Sequence, residues 1–409
     1  MQLSQYRILL LKRSQITHES VAKPSLLNMK LFSSLFLPFI AASALAQLSQ
    51  EIGDVPVAPV NYELEVLATE LEHPSSIAFL PDGSYLIAER NAGLAIIQNG
   101  AKTVVDGMPD IHVRQQAGLL DVALHPDFEE NNLIYFSYSD GSLLGSRTQL
   151  SRAELSVGDG NNAELSNLEV LFSQTPTSLS SLHYGGRLLF LPDQTLLLTL
   201  GEGYLYKDDA VKLDNLRGKV VRLNDDGSIP EDNPFVNTKG AEAEIFTYGH
   251  RNPQGLILLP DGKILSHEHG PRGGDEVNEL RAGANYGWPE ITYGIDYSGA
   301  IISELSEKDG MEQSIVHYVP SIAPSGFTQY NGEMFPEWQG DLFIGGLVSM
   351  QVRRIDVLEN GKFGAQQKLF TELEARIRDV ETGPDGALYF LTDASDGSLY
   401  RVTPRSTQN

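Results

Sequence analysis

The chain of 409 residues contains no cysteine, which excludes disulfides, thiolate metal sites and a cysteine nucleophile. It is also poor in positive charge, with 30 Lys and Arg against 54 Asp and Glu and a net charge of −24. Nucleic acids and anionic membrane surfaces reward clustered Lys and Arg, so neither is an expected partner. Helical periodicity is scarce throughout. Apolar residues make up 41% of the chain, enough for a sizeable core. Length alone leaves open two or three domains or one large all-β unit.

The one long apolar run reads as an address. From Met29 the sequence MKLFSSLFLPFIAASALAQ sets one Lys before an apolar stretch from Leu31 and closes on Ala44-Leu45-Ala46. That layout is a secretory signal peptide cleaved after Ala46, with residues 1–28 an upstream translation start or a long n-region. A transmembrane anchor fits less well, because the run is short and contains Pro38. The expectation is a periplasmic or secreted protein without membrane insertion. Residues 47–60 would be a flexible lead-in and 61–405 a single catalytic domain.

The domain repeats one pattern, an apolar strand, a Pro-Asp-Gly-like turn and a second apolar strand. Clear copies are IAFLPDGSYLIAE (77–89), LLFLPDQTLLLTLGE (188–202), LILLPDGKILSHE (256–268) and VETGPDGALYFLTD (380–393). Degenerate copies lie at 122–138 and 334–346. Such turns between apolar runs signal hairpins, since the tight turn needs positive φ. Six hairpins at about sixty residues per unit favour an all-β fold, a six-bladed β-propeller, over a two-domain sandwich. Ser/Gly/Asn-rich connectors at 156–167 and 297–310 read as loops between blades.

Functional groups crowd the stretch from Ile245 to Asp296. Arg251-Asn252 places a guanidinium beside an amide on a Pro-turned loop, suited to an anionic or carbonyl-rich ligand. His267 and His269 alternate along an extended segment and share one face, a spacing that admits zinc. Gly270-Pro271 and Asp275-Glu276 instead offer hard oxygen donors, which suit calcium better. Outside the stretch, His183 in SSLHYGGRLLF could act as general base, with the glycines letting substrate approach. A lone His is more often packed or solvated than catalytic. The amide of Gln116 could orient a hydroxyl group or simply be a surface side chain. Arg376 and Arg378 project from one face of a strand, a solvated pair or a seat for a polyanion.

In chain order the sequence carries QxGLLxxAxHPDF, HxxGRL, GKVVRLNDDGSIPEDNPF, GHRNPQGL, HGPxxxDEVN, NYGWP and RxRDVxxxPDG. This set, spread over residues 62 to 403, resembles the soluble aldose sugar dehydrogenases that depend on pyrroloquinoline quinone (PQQ), the glucose/sorbosone dehydrogenase family. The resemblance implies a six-bladed propeller with PQQ and Ca2+ on the channel face. It implies His183 as the base at the sugar C1 hydroxyl, Arg251 near the reacting oxygen, and Gln116 with Asp275 on the substrate side. Asn252, Arg376, Arg378 and the APSG segment with Ser325 would contact the cofactor. The carbonyls of Gly270 and Pro271 would ligate one calcium, and Glu276 with the backbone of Tyr286 a structural one.

Two departures stand out. Leu182 replaces the Asp that glucose-oxidising members carry before the base, which questions glucose as substrate. Val348-Ser349-Met350 follow DLFIGGL where the family usually supplies a Lys or Arg to the cofactor, a role expected of Arg353 or Arg354 from a neighbouring position. The implied partners are a small-molecule sugar and an external electron acceptor, with the chain a monomer or homodimer. The competing readings are a calcium-dependent propeller hydrolase of lactonase type, and a carbohydrate- or protein-binding propeller without enzymatic activity.

Overall fold

The recurring turn folds alike wherever it occurs in the computed structural model, which describes residues 49–158 and 162–405. The signal sequence and its cleavage point lie outside the described residues. Asp82, Asp193, Asp261 and Asp385 each accept a hydrogen bond from the backbone N–H two residues on, at 2.9, 3.1, 3.2 and 3.1 Å. Such an Asx turn satisfies a reversing backbone locally. The next residue sits at positive φ, 84° at Gly83, 85° at Gly262 and 81° at Gly386. Gln194 holds the same place at 64° without the freedom of glycine.

Each turn joins an inner strand to the strand that follows it. The inner strands are Pro74–Phe79, Leu119–Leu124, Gly185–Phe190, Pro253–Leu258, Pro324–Gln329 and Ile377–Thr382, and each opens a four-stranded antiparallel meander. Their partners are Tyr85–Glu89, Leu133–Ser142, Leu196–Leu200, Ile264–Glu268, Leu342–Gly346 and Leu388–Thr392. The first two meanders merge into one sheet of eight strands, because Ala163 and Glu164 pair in parallel with Val105 and Asp106. The last meander takes its outer strand, Tyr62–Leu71, from the start of the domain, with Tyr62 opposite Pro404.

Both faces of each sheet are apolar, so every meander buries one face against each neighbour. In Leu196–Leu200, Leu196, Leu198 and Leu200 pack toward the second meander, while Leu197 packs toward the fourth. Period-two alternation of this kind reads as a continuous apolar run when both sides are covered. The sequence of contacts returns to its origin, since Leu71 and Tyr389 of the last meander pack on Ile77 and Ile87 of the first. All inner strands therefore start at one face, where their loops converge.

Three expectations change. The 156–167 stretch is a hairpin within the second meander, with Asn162 opposite Gly158, rather than a connection between units. The 297–310 stretch likewise joins the third and fourth strands of the fourth meander, Asp275–Leu280 and Val316–Tyr318. Gly- and Asn-rich composition marks a reversal, but long-range pairing decides which strands it joins. In the 47–60 lead-in, Gln50–Ile52 adds in parallel to Val316–Tyr318 and Val57 bridges Lys368, so backbone pairing ties this segment down.

Tyr62 anchors the strand that completes the last meander. It is 3% exposed, its hydroxyl bonds Glu372 at 3.0 Å and Phe370 N–H at 3.2 Å, and its ring meets Phe370 edge-on at 4.9 Å. Tyr62→Ala should cost about 3–5 kcal/mol by loss of a buried aromatic, seen as a lowered urea midpoint. A change under about 0.5 kcal/mol would show that this strand contributes little to closure.

Candidate active site

The second strand of a meander ends at the face where inner strands begin, and four of these strands have a carboxylate at their last residue or within two residues beyond it. They are Glu89, Glu202, Glu268 and Asp393, the last residues of the four clear sequence repeats. Three of them organise the candidate site.

Glu202 lies 2.9 Å from His183, Oε1 to Nδ1, with the histidine 6% and the glutamate 1% exposed. The other oxygen of Glu202 has no partner. His183 is held from a second side by Gln116, whose Oε1 accepts its backbone N–H at 2.8 Å. Its φ of 59° is left-handed, an unfavourable state for a non-glycine residue. Gly201 makes that conformation possible, since a Cβ there would stand 2.0 Å from His183 O. Burial, followed by the charge of Arg251, depresses the basicity of the imidazole well below its usual value. Burial pushes Glu202 up to about 7 against the opposing pull of Arg251.

Next to this pair opens a cavity of about 530 Å³. Of the residues expected from sequence it collects Gln116, Asn252, Arg376 and Arg378. It adds Arg90, Arg187 and Asp393, which the sequence reading did not single out. Asp393 binds Arg378 at 2.8 Å and His73 at 3.2 Å, and lies 3.4 Å from Arg376 and 3.9 Å from Arg90. Burial works against ionisation of Asp393, but Arg378 and Arg90 hold its pKa well below the carboxylate range. Around the cavity one carboxylate thus faces three guanidiniums, while Arg187 is balanced separately by Asp121 and Asp379. The surplus is positive. Burial lowers the pKa of Arg378, Asp393 opposes, and Arg90 and Arg187 add to the lowering. Such a cavity suits a compact polyanion.

Glu268 organises the far side. Its oxygens take His250 Nδ1 at 2.9 Å and the backbone N–H of Arg251 at 2.6 Å, which fixes the loop carrying Arg251 and Asn252. Arg251 Nη1 donates to His269 O at 3.1 Å and Gly270 O at 2.8 Å, and its Nε is buried without a partner. Asn278 bridges Glu268 and Glu276 at 3.5 and 3.3 Å. Burial first, and the charge of Glu268 second, push Glu276 up to about 8. Two carboxylates this close, beside the Tyr286 backbone in one small cavity, are a donor set that a divalent cation would relieve. At Gly270 and Pro271 the fit is partial, because Arg251 already occupies the Gly270 oxygen and Pro271 O has only a 3.4 Å contact from Ser321.

Several expected site residues are engaged elsewhere. His267 is fully buried against Phe327, its Nε2 3.4 Å from Gly326 O, and His269 bonds Pro324 O at 2.7 Å. The two rings serve separate carbonyls and do not form the zinc pair their spacing allowed. Asp275 spends its oxygens on Gly270 N, Ser321 Oγ, Ile322 N and Ala323 N, so it shapes loops. Ser325 donates to Ile377 O at 2.7 Å, and Ala323 is the residue of that segment lining the cavity. Arg353 is buried over Tyr318 and Arg354 pairs with Asp341 at 2.6 Å, so neither replaces the absent cation near Val348.

The cavity, its guanidiniums and the His183–Glu202 pair fall inside one homologous span. Residues 71–401 match the family described as Glucose / Sorbosone dehydrogenase. The chain belongs to this family. It is 42% identical over 364 residues to aldose sugar dehydrogenase YliI of Escherichia coli K12, covering 85% of this chain and 95% of that protein. It is 33% identical to quinoprotein glucose dehydrogenase B of Acinetobacter calcoaceticus, over 89% of this chain and 95% of the relative. The crystal structure of the soluble E. coli aldose sugar dehydrogenase in the apo-form superposes with a TM-score of 0.80 at 42% identity, over 84% and 100% of the chains. The chain is therefore an oxidoreductase.

The buried histidines yield a measurable pH dependence. Desolvation drives His267 down to about 3, so below pH 6.5 the unfolded chain takes up a proton that the native chain refuses. Stability is lost as pH falls from 6.5 toward 3, by about 2 kcal/mol at pH 5. His267→Leu removes this proton, and its stability should fall by about 2 kcal/mol less than that of the unaltered chain between pH 7 and pH 5. Equal pH sensitivity in denaturant titrations would show that His267 is accessible to protons in the native state.

Proposed function

We propose that the enzyme oxidises an aldose at its C1 hydroxyl to the lactone, using PQQ and calcium, on a six-bladed β-propeller outside the cytoplasm. The observation that carries the reading is a buried His–carboxylate pair opening beside a cavity with surplus guanidinium charge. PQQ is a tricarboxylate, and Arg90, Arg376, Arg378 and Asn252 supply cations and an amide for it. Gly270 and Pro271 would offer carbonyls to the calcium of the site, and Glu276 with the Tyr286 backbone a structural one. The cyclic packing of six meanders supports the propeller, and the sequence from Met29 to Ala46 supports export. Among the described residues no helix is long and apolar enough to cross a membrane.

PQQ, when bound, would supply an electrophilic carbonyl as hydride acceptor, and calcium held near Gly270 and Pro271 would supply Lewis acidity. The protein supplies the rest. With Glu202 ionised, His183 donates Nδ1–H to the carboxylate and keeps Nε2 free to take the hydroxyl proton. Arg251, with its unpartnered Nε, offsets charge on the oxygen as that proton leaves. Gln116 uses its oxygen on the His183 backbone, leaving its Nε2 to donate to the substrate. Asp275 holds the loops that carry Gly270 and Ala323.

The apoprotein reconstituted with PQQ and calcium should reduce a dye with at least one member of an aldose panel. No quinone-dependent rate with any sugar would sink the reading. His183→Ala should lower kcat by about 10²–10⁴ while PQQ still binds. If the variant keeps near-normal turnover, another group is the base.

Protonating Glu202 would reverse the hydrogen bond and place a proton on Nε2. The kcat profile should therefore rise through about pH 7, where burial sets Glu202, and Glu202→Gln should abolish that limb. A limb that survives the substitution belongs to a different group.

A further inference from the structure

Residues 201–218 join the second and third strands of the third meander, Leu196–Leu200 and Lys219–Leu223. The same link takes two to six residues in each of the other meanders. A link this long inside a compact domain usually carries function. Here it carries Glu202, and the ring of Tyr204 meets His183 edge-on at 5.2 Å. What folds the link is a buried amine. Lys219 is fully buried, and its Nζ donates to Asp209 O at 3.2 Å, Ala210 O at 2.9 Å and Arg217 O. An ammonium has three donors, so all of them serve main-chain oxygens of the link. The Asp209 carboxylate pairs instead with Arg217 at 2.6 Å and Lys212 at 2.8 Å, and Lys219 has no ion pair among the described residues. Burial pulls the pKa of the amine down to about 7, against the pull of Asp209 and Asp214, so the charge is kept at a cost.

The same oxygens lead to the reacting groups. Ala210 O also accepts the Gly249 N–H at 2.8 Å, and Gly218 O accepts the His250 N–H at 3.1 Å. One residue on, Arg251 O accepts the Glu202 N–H at 3.0 Å, and Glu202 holds His183. Gly218 has no room for a side chain, since a Cβ there would stand 2.2 Å from His250 O. The ammonium thus closes a ring of contacts that runs through Arg251 to Glu202. We propose that Lys219 is a positioning residue, an internal cation that holds the link so that Glu202 and Arg251 keep their places around His183. Carbonyl oxygens gathered on a buried cation in this way do what a bound metal ion does for other loops. The inference rests on the dehydrogenase reading and adds to it a residue that touches neither sugar nor PQQ.

Lys219→Met keeps the length of the side chain and removes its charge and donors. Scored per bound PQQ in the reconstituted enzyme, its kcat should fall about ten- to a hundredfold, with the sugar KM within about twofold of normal. The rising kcat limb that Glu202 sets near pH 7 should move to lower pH, because a loosened link admits water to that carboxylate. In cofactor-free protein at about pH 6, the amides of 201–218 and 249–252 should exchange hydrogen about tenfold faster, with those of the sixth meander unchanged. Lys219→Gln keeps two donors without the charge and should fall between Lys219→Met and the unaltered chain; it supplies the same readings if Lys219→Met does not fold. An unchanged kcat overturns the proposal. A lowered kcat with the limb unmoved makes Lys219 a packing group only and also overturns it, as does exchange that is unaltered or faster in every meander. If the unaltered protein oxidises no sugar, the dehydrogenase reading fails, while the exchange still decides whether Lys219 holds the link.

Discussion

One guanidinium near the convergence of the inner strands ties most of the architecture together. Arg187, on the third inner strand, binds Asp379 of the sixth at 2.9 Å and Asp121 of the second at 3.3 Å. Its Nε donates to Gln254 O of the fourth at 2.9 Å, and Nη2 lies 3.4 Å from Ser75 O of the first. The two carboxylates extend the cross-links, Asp379 to Ile77 N at 3.0 Å and Asp121 to Leu188 N at 2.8 Å. Buried charges are tolerated only when paired and hydrogen-bonded, so this network specifies how the meanders meet as much as it stabilises them. Burial, with the charge of Asp379 next, raises the pKa of neighbouring Glu381 well above its usual value, and Arg187 opposes the rise.

The site rests on that frame. Because the inner strands start at one face, a residue just before one strand can meet a residue at the end of the next strand along the chain. His183 and Glu202 meet in this way across a single hairpin. The left-handed backbone of His183 is an unfavourable state of roughly 1–3 kcal/mol, held by the Gln116 contact and the absent side chain of Gly201. Stability and function share the same loops here. The carboxylates at the ends of the second strands fix loop geometry at Glu268, balance guanidiniums at Asp393 and hold the His183 imidazole at Glu202.

Much of the fold was legible in the sequence, because its signal is local. The Pro-Asp-Gly-like turn needs an Asx hydrogen bond and a positive φ within four residues, and both leave a composition trace. Inner and second strands around each such turn followed from it. The 156–167 and 297–310 connectors were misplaced because their neighbours are set by pairing across the sheet. In the site, Arg251, Asn252, Arg376 and Arg378 were visible as paired polar groups on short motifs. Glu202 and Asp393 went unnoticed, although an acid closes each clear repeat. Read singly, each looks like a solvated strand end; only the fold brings them within reach of His183 and Arg378. Arg187 could not be paired from sequence at all, since its partners lie 66 and 192 residues away.

The central claim is that the guanidinium-lined cavity is built for a tricarboxylate quinone acting with calcium. Calorimetric titration of PQQ into the metal-free protein, repeated with calcium, addresses it directly. The account predicts one saturable site per chain that calcium tightens. Absence of binding under both conditions, or binding indifferent to calcium, would contradict it.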